Sequence, residues 1–192
     1  MIDIVQIDQA ATLWINKLDT PVLYPLWLVL SDAKIWFLAY GLIMGFIIWK
    51  LGWKKGILVV LGIILCVVLT DQLSGVVKDS VARLRPCFNT WMVENGVLIP
   101  YGQAGGLYGF FSSHAANVFG FAAITTLGLG LNGKPVKAYT WGVFIWAGLV
   151  SLSRIMMAAH FLGDVLVGVA FGLLIGSLLA YLTRWIIVKA RL

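Results

Sequence analysis

The two histidines of this chain, His114 and His160, each stand among residues suited to proton and phosphoryl transfer. His160 and Asp164 are four positions apart, the spacing at which side chains meet on a helix. A carboxylate so placed fixes the imidazole tautomer and stabilises a protonated or substituted ring, which leaves the other nitrogen free as a nucleophile. Ser112 and Ser113 precede His114 where an apolar run opens, and the orphan N–H groups of such a helix start attract anions. Lys78, Arg85 and Arg154 add three cations. Together these groups suit phosphoryl transfer: cations stabilise the equatorial oxygens, His160 attacks phosphorus, and His114 protonates the departing oxygen. A zinc site made from both histidines and Asp164 is the poorer reading, because three neighbouring cations oppose a dication. No metal or other cofactor is therefore expected.

Positioning these groups requires helices, and the composition says where those helices lie. Of 192 residues, 61% are hydrophobic and 11% charged, whereas about a quarter are charged in an ordinary soluble domain. The expected fold class is all-α: an integral membrane helical bundle of about five transmembrane helices, forming one membrane-embedded domain over residues 1–192. Residues 1–31 mix Asp3, Asp8, Lys17 and Asp19 with apolar side chains and read as an amphipathic interfacial segment. The transmembrane bundle is expected over 35–187, with spans near 35–49, 56–84, 113–132, 138–154 and 160–187. Residues 86–111 form the one long connection, and Trp91, Met92, Tyr101 and Tyr108 mark it as a membrane-hugging active-site loop.

Charge placement orients the bundle. Lys50, Lys54, Lys55, Lys134, Lys137, Arg184, Lys189 and Arg191 collect at one edge without an acidic residue among them, so that edge is predicted to be cytoplasmic. The net charge of +6 thus reports insertion into a membrane, and no nucleic-acid partner is expected. At the opposite edge, the ends of four spans carry Lys78, Arg85, Ser112, Ser113, His114, Arg154, His160 and Asp164 to one depth. Lys78 and Arg85 are two helical turns apart and share a face if the helix runs that far, although Pro86 stops it there. Gly168, Gly172 and Gly176 continue the stripe begun by His160 and Asp164, and small residues at every fourth position turn a face toward a neighbouring helix.

Three segments resemble the signature blocks of the type 2 phosphatidic acid phosphatase superfamily of membrane lipid phosphatases: Lys78-x6-Arg85-Pro86, Phe111-Ser112-Ser113-His114, and Ser153-Arg154-x5-His160-x3-Asp164. The first and third match in full. In the second, Phe111 stands where the family commonly has Pro, and Ser113 where it commonly has Gly. The resemblance implies a metal-independent phosphatase working through a phosphohistidine. His160 would be the nucleophile, Asp164 its partner and His114 the general acid and base, while Lys78, Arg85, Ser112, Ser113 and Arg154 would cradle the phosphate. It also implies a lipid phosphate substrate within the bilayer, of the undecaprenyl pyrophosphate, phosphatidylglycerol phosphate, phosphatidic acid or lipid A class. A bacterial inner (cytoplasmic) membrane protein with its site on the extracytoplasmic face would suit such substrates.

Two other functions fit some of these features. Transfer of the phosphoryl group to another lipid hydroxyl needs the same groups, and an anion or proton-coupled transporter would also place His, Asp and Arg in the membrane. The sequence shows no internal repeat of the kind such transporters carry. Asp71 and Gln72, deeper in the second span, suit helix-bundling hydrogen bonds as well as chemistry. Arg83 is read as a contact to a second phosphate or to a headgroup. Trp14, Trp27 and Trp36 are read as interface anchors, and Ser74, Ser151 and Ser153 as interhelical hydrogen bonders.

Overall fold

The computed structural model describes residues 3–100, 102, 105–133 and 136–192; Tyr101 and Lys134 lie outside the described residues. Eight helices follow in order: α1 Ile4–Asn16, α2 Tyr24–Ser31, α3 Phe37–Leu51, α4 Trp53–Val81, α5 Thr90–Glu94, α6 Ser113–Leu129, α7 Lys137–Met156 and α8 Leu162–Lys189. Among the described residues there is no strand, only isolated bridges such as Leu84 with Tyr108. The chain is an all-helical membrane protein.

Among the described residues three stretches are long and apolar enough to cross a bilayer: α4, α6 with its 3₁₀ extension to Asn132, and α8. The other two predicted spans correspond to α3, which is apolar but only 15 residues long, and to α7, which carries Lys137 and Arg154 near its two ends. Helix α6 is the axis. It packs on α8 most extensively and also on α3, α4 and α7, and its buried face is rich in Ala and Gly. A Cβ on Gly168 would fall 2.5 Å from the Ser112 carbonyl oxygen, and one on Gly172 would strike the Ala116 backbone. The glycine stripe therefore lets α8 lie directly against α6, in the small-residue packing of membrane helices.

The described part of the N-terminal segment also packs on the bundle. Helix α1 keeps an exposed apolar side with Ile4, Ile7 and Trp14, but its other side buries Thr12, Leu13 and Asn16. The Asn16 side chain donates to the carbonyls of Leu98, Ile155 and Met156 and accepts from the Leu98 N–H. It thus staples α1 to the end of α7 and to the long connection. Helix α2 buries Trp27 and Leu30 and packs on α7. Trp27 is not an interface anchor: it is a core residue, and its indole N–H donates to Asp19 at 2.7 Å. Trp36 packs edge-on against Trp146, whereas Trp14 remains exposed.

Candidate active site

Helix α4 ends earlier than the spacing of Lys78 and Arg85 suggested. Ala82 turns left-handed at φ 51° and its N–H closes on the Lys78 carbonyl, so Arg85 lies in extended chain beyond the helix. The two cations do not share a helical face. Arg85 instead returns toward the bundle because its N–H bonds the Leu107 carbonyl at 3.1 Å. Its buried guanidinium then donates from Nε to the Tyr108 carbonyl and from Nη1 to the Ala159 carbonyl, at 3.1 and 3.2 Å. The second contact secures the residue just before His160.

His160 likewise lies outside a helix, in the turn between α7 and α8. Both Ala159 and His160 donate their N–H groups to the Arg154 carbonyl, which folds the turn back on the end of α7. Asp164 is at the third position of α8, and its Oδ2 accepts from the Phe161 N–H at 3.0 Å. His160 Nδ1 stands 3.6 Å from the same oxygen, and among the described residues this nitrogen has no hydrogen-bond partner. That separation exceeds a hydrogen bond, as is common for catalytic pairs before substrate arrives. Gly109 closes over the pair, since a Cβ there would sit 3.0 Å from Asp164 Oδ2 and 3.5 Å from His160 Nδ1. Burial, with the nearby charges of Arg154, Arg85 and Lys78, holds the His160 imidazole well below its ordinary pKa. The ring is therefore neutral at physiological pH, the form in which a nitrogen lone pair is available.

Ser112 caps α6, its hydroxyl accepting from the Ala115 N–H at 3.4 Å, while its own N–H donates to the Asp164 carbonyl. Lys78 Nζ reaches the Ser113 hydroxyl at 3.3 Å. The position that commonly holds Gly in the resembling family thus carries a hydroxyl that meets Lys78. Phe111 is fully buried and stacks on Phe171 with ring centroids 4.8 Å apart, and the Ser74 hydroxyl donates to its carbonyl. Among the described residues the buried Arg154 Nε has no hydrogen-bond partner. His114 lines an adjacent cavity of about 280 Å³ whose polar groups come from Ser31, Asp71, Ser113 and Asn117 and whose remaining wall is largely apolar. Contacts join Lys78 to Ser113, Ser112 and His160 to Asp164, and His160 to Arg154, while Arg85 is bonded to the residue before His160 and His114 follows Ser113 in α6. Among the described residues no three His, Cys, Asp or Glu side chains are grouped as a metal site would need.

The sequence reading missed how this corner is held. Arg83 does not face an open phosphate site. Its Nη1 bonds Asp164 Oδ1 at 2.6 Å, its Nη2 bonds Asp8 Oδ2 at 2.7 Å, and its guanidinium covers the Phe161 ring at 4.1 Å. Phe161 occupies the N-cap of α8, where a side-chain acceptor is usual. Helix α1 supplies the missing acceptors from a distance: Thr12 Oγ1 takes the Leu162 N–H at 2.9 Å and Asp8 Oδ1 takes the Gly163 N–H at 2.8 Å. A signal was present in the sequence, because Asp8, Thr12 and Asn16 make a polar stripe at every fourth position of α1.

The chain is similar to several known proteins. Residues 55–187 match the PAP2 superfamily. A lipid A 4'-phosphatase of Porphyromonas gingivalis is 30% identical over 189 residues, covering 95% of this chain and 78% of that protein. A second lipid A 4'-phosphatase, from Bacteroides thetaiotaomicron, is 27% identical and covers 86% of this chain and 72% of that protein. The fold is similar to a crystal structure of a transmembrane PAP2-type phosphatidylglycerolphosphate phosphatase from Bacillus subtilis. The TM-score is 0.67 at 22% identity, over 98% of this chain and 88% of the other.

Proposed function

The chain belongs to the PAP2 superfamily and is a membrane phosphatase, and from that premise we propose that it hydrolyses a lipid phosphate through a phosphohistidine formed on His160. The observation that carries the mechanism is the neutral, buried His160 beside Asp164, ringed by Lys78, Arg85 and Arg154. In the first step the free ring nitrogen bonds to phosphorus, the bond from phosphorus to the lipid oxygen breaks, and His114 gives that oxygen a proton. Approach of the phosphate's negative charge favours the protonated form of His114. Asp164 balances the positive charge that the substituted imidazole gains. In the second step water attacks phosphorus, its proton passes to His114, inorganic phosphate leaves and His160 is restored. Charge spread over the phosphoryl oxygens in both steps is met by the three cations, Ser113 and the N–H groups at the start of α6.

The substrate class follows from the setting. The site lies at the end of bilayer-length helices, and the two curated relatives act, by name, on the 4'-phosphate of lipid A. An acylated glycolipid phosphate is the reading these relatives support. The basic edge at the opposite ends of the helices supports an extracytoplasmic site in a bacterial inner membrane. Phosphate release in detergent from lipid A, phosphatidylglycerol phosphate and undecaprenyl pyrophosphate, each with a chelator present, tests the reading. Release from the glycolipid that survives chelation is the expected result. Activity that vanishes with chelator, or none on any lipid, would refute it.

A further inference from the structure

Asp71 is the polar residue of α4 that the mechanism leaves unused. It sits two helical turns before Lys78, about 10 Å along the axis from the phosphate cage, in the direction of the bilayer interior. An ionisable side chain on a membrane-spanning helix is costly and marks function by default. Its surroundings are specific. Asn117 of α6 donates from Nδ2 to Asp71 Oδ1 at 3.1 Å, and the Thr70 hydroxyl bonds Asn117 Oδ1, so the amide is turned with its donors toward the carboxylate. Among the described residues the second Asp71 oxygen has no partner, and the side chain is exposed. A structural pin between α4 and α6 would be enclosed, as Ser74 and Thr70 are.

Asp71 and Asn117 stand at the junction of two spaces. On one side is the cavity of about 280 Å³ that His114 also lines. On the other is an apolar groove of about 590 Å³ walled by α3, α4 and α6, with Phe37, Met44, Ile64 and Phe121 along it. Ala33, Tyr40, Asp71 and Asn117 border both. A lipid with its phosphate in the cage and its chains in the groove would pass its linking atoms across this carboxylate.

We propose that the Asp71–Asn117 pair is a second recognition point, which accepts a hydrogen bond from a hydroxyl or amide N–H at the base of the substrate's acyl chains. Ionised carboxylates only accept hydrogen bonds, so the pair rewards lipids that bring a donor to this depth. N-acylated or hydroxyacylated sugar phosphates do so, whereas a polyprenyl phosphate has no donor between its phosphate and its chain and leaves the carboxylate unmet. Sites built to bond a substrate hydroxyl or N–H discriminate strongly against analogues that lack it.

The inference rests on the lipid phosphatase reading, and its test separates the two. The quantity is the ratio of kcat/KM for an N-acylated glucosamine lipid phosphate to that for farnesyl pyrophosphate, in wild type and in Asp71→Ala. Loss of one hydrogen bond to a charged group lowers that ratio about 10–100-fold, and Asp71→Asn, which keeps an acceptor, lowers it less. Binding of the same two lipids, brominated at the chain end nearest the headgroup, to His160→Ala protein, read by quenching of tryptophan fluorescence, should show the same selective loss, since Trp36 and Trp146 line the cavity that meets the groove at Asp71 and Asn117. A ratio unchanged in both measurements overturns the inference, even if both lipids are bound less well. Wild-type protein that binds with the stated selectivity but releases no phosphate would instead overturn the phosphatase reading alone.

Discussion

Arg83 offers the sharpest perturbation, because it joins α1 to the catalytic corner without touching the phosphate cage. Asp164 is fully buried, and its oxygens are held by Arg83 and by the Phe161 N–H. Arg83→Ala removes the only cation bonded directly to that carboxylate among the described residues. Breaking a fully buried ion pair costs about 3–5 kcal/mol, but Arg83 is 22% exposed and water can enter its place. The lower figure for one charged hydrogen bond, about 1.5–3 kcal/mol, is therefore the expected loss of stability. The same change frees Asp164 to turn away from His160. Losing the group that orients a reacting side chain typically costs about 10–100-fold, so kcat should fall by that factor, or ~1.4–2.7 kcal/mol of barrier. KM should stay near its wild-type value because Lys78, Arg85 and Arg154 still bind the phosphate. Arg83→Lys should recover only part of the rate, since one ammonium cannot fork between Asp8 and Asp164. The assay is steady-state phosphate release in detergent at saturating lipid, with thermal unfolding measured alongside. If Arg83→Ala kept kcat within about twofold of wild type, the argument that Arg83 orients Asp164 would fail.

Three further outcomes follow from the same geometry. Burial and three cations keep His160 neutral in the folded protein, so kcat/KM should hold level as pH drops through about 6.5, where a free imidazole protonates, and decline only in stronger acid. The unfolded chain takes up that proton first, so folded stability should fall below about pH 6.5, and melting curves of wild type and His160→Gln should converge there. Gly172→Ala should lower the melting point, by about 1–3 kcal/mol of overpacking, because its Cβ would meet the Ala116 backbone. Gly142→Ala, with nothing within 4 Å of the added Cβ, should not. Ser113→Gly should keep turnover and raise KM about threefold to tenfold, the loss of one modest hydrogen bond, in a lipid titration; an unchanged KM would show that the Lys78–Ser113 contact does not serve phosphate binding.

The helical class and the glycine-lined face of α8 were legible because both are periodic: long apolar runs, and Gly168, Gly172 and Gly176 at one spacing. The blocks around Lys78, Ser112 and His160 were legible as residue types. Their local geometry was not, since it depends on how the chain leaves each helix. Ala82 turning left-handed and Phe161 capping α8 move Arg85 and His160 off the helices that a spacing argument assigns them. The role of α1 was hidden for a different reason. Asp8, Thr12 and Asn16 act on α8 and on the 86–111 connection, partners more than 70 positions away, and no local pattern names a partner at that range. Arg83 was misjudged for the same cause, its two carboxylates coming from opposite ends of the chain.

The central claim is a covalent bond between phosphorus and His160. Lipid pyrophosphate radiolabelled at its terminal phosphorus, whose phosphate leaving group needs no proton from His114, mixed with His114→Ala protein and quenched in alkali within milliseconds, should leave label on the protein that is stable in base, lost in acid and confined to the peptide containing His160. His160→Gln protein should carry none and should turn over no substrate. Free phosphate released in the first turnover without labelled protein, or near-normal activity in His160→Gln, would contradict the account.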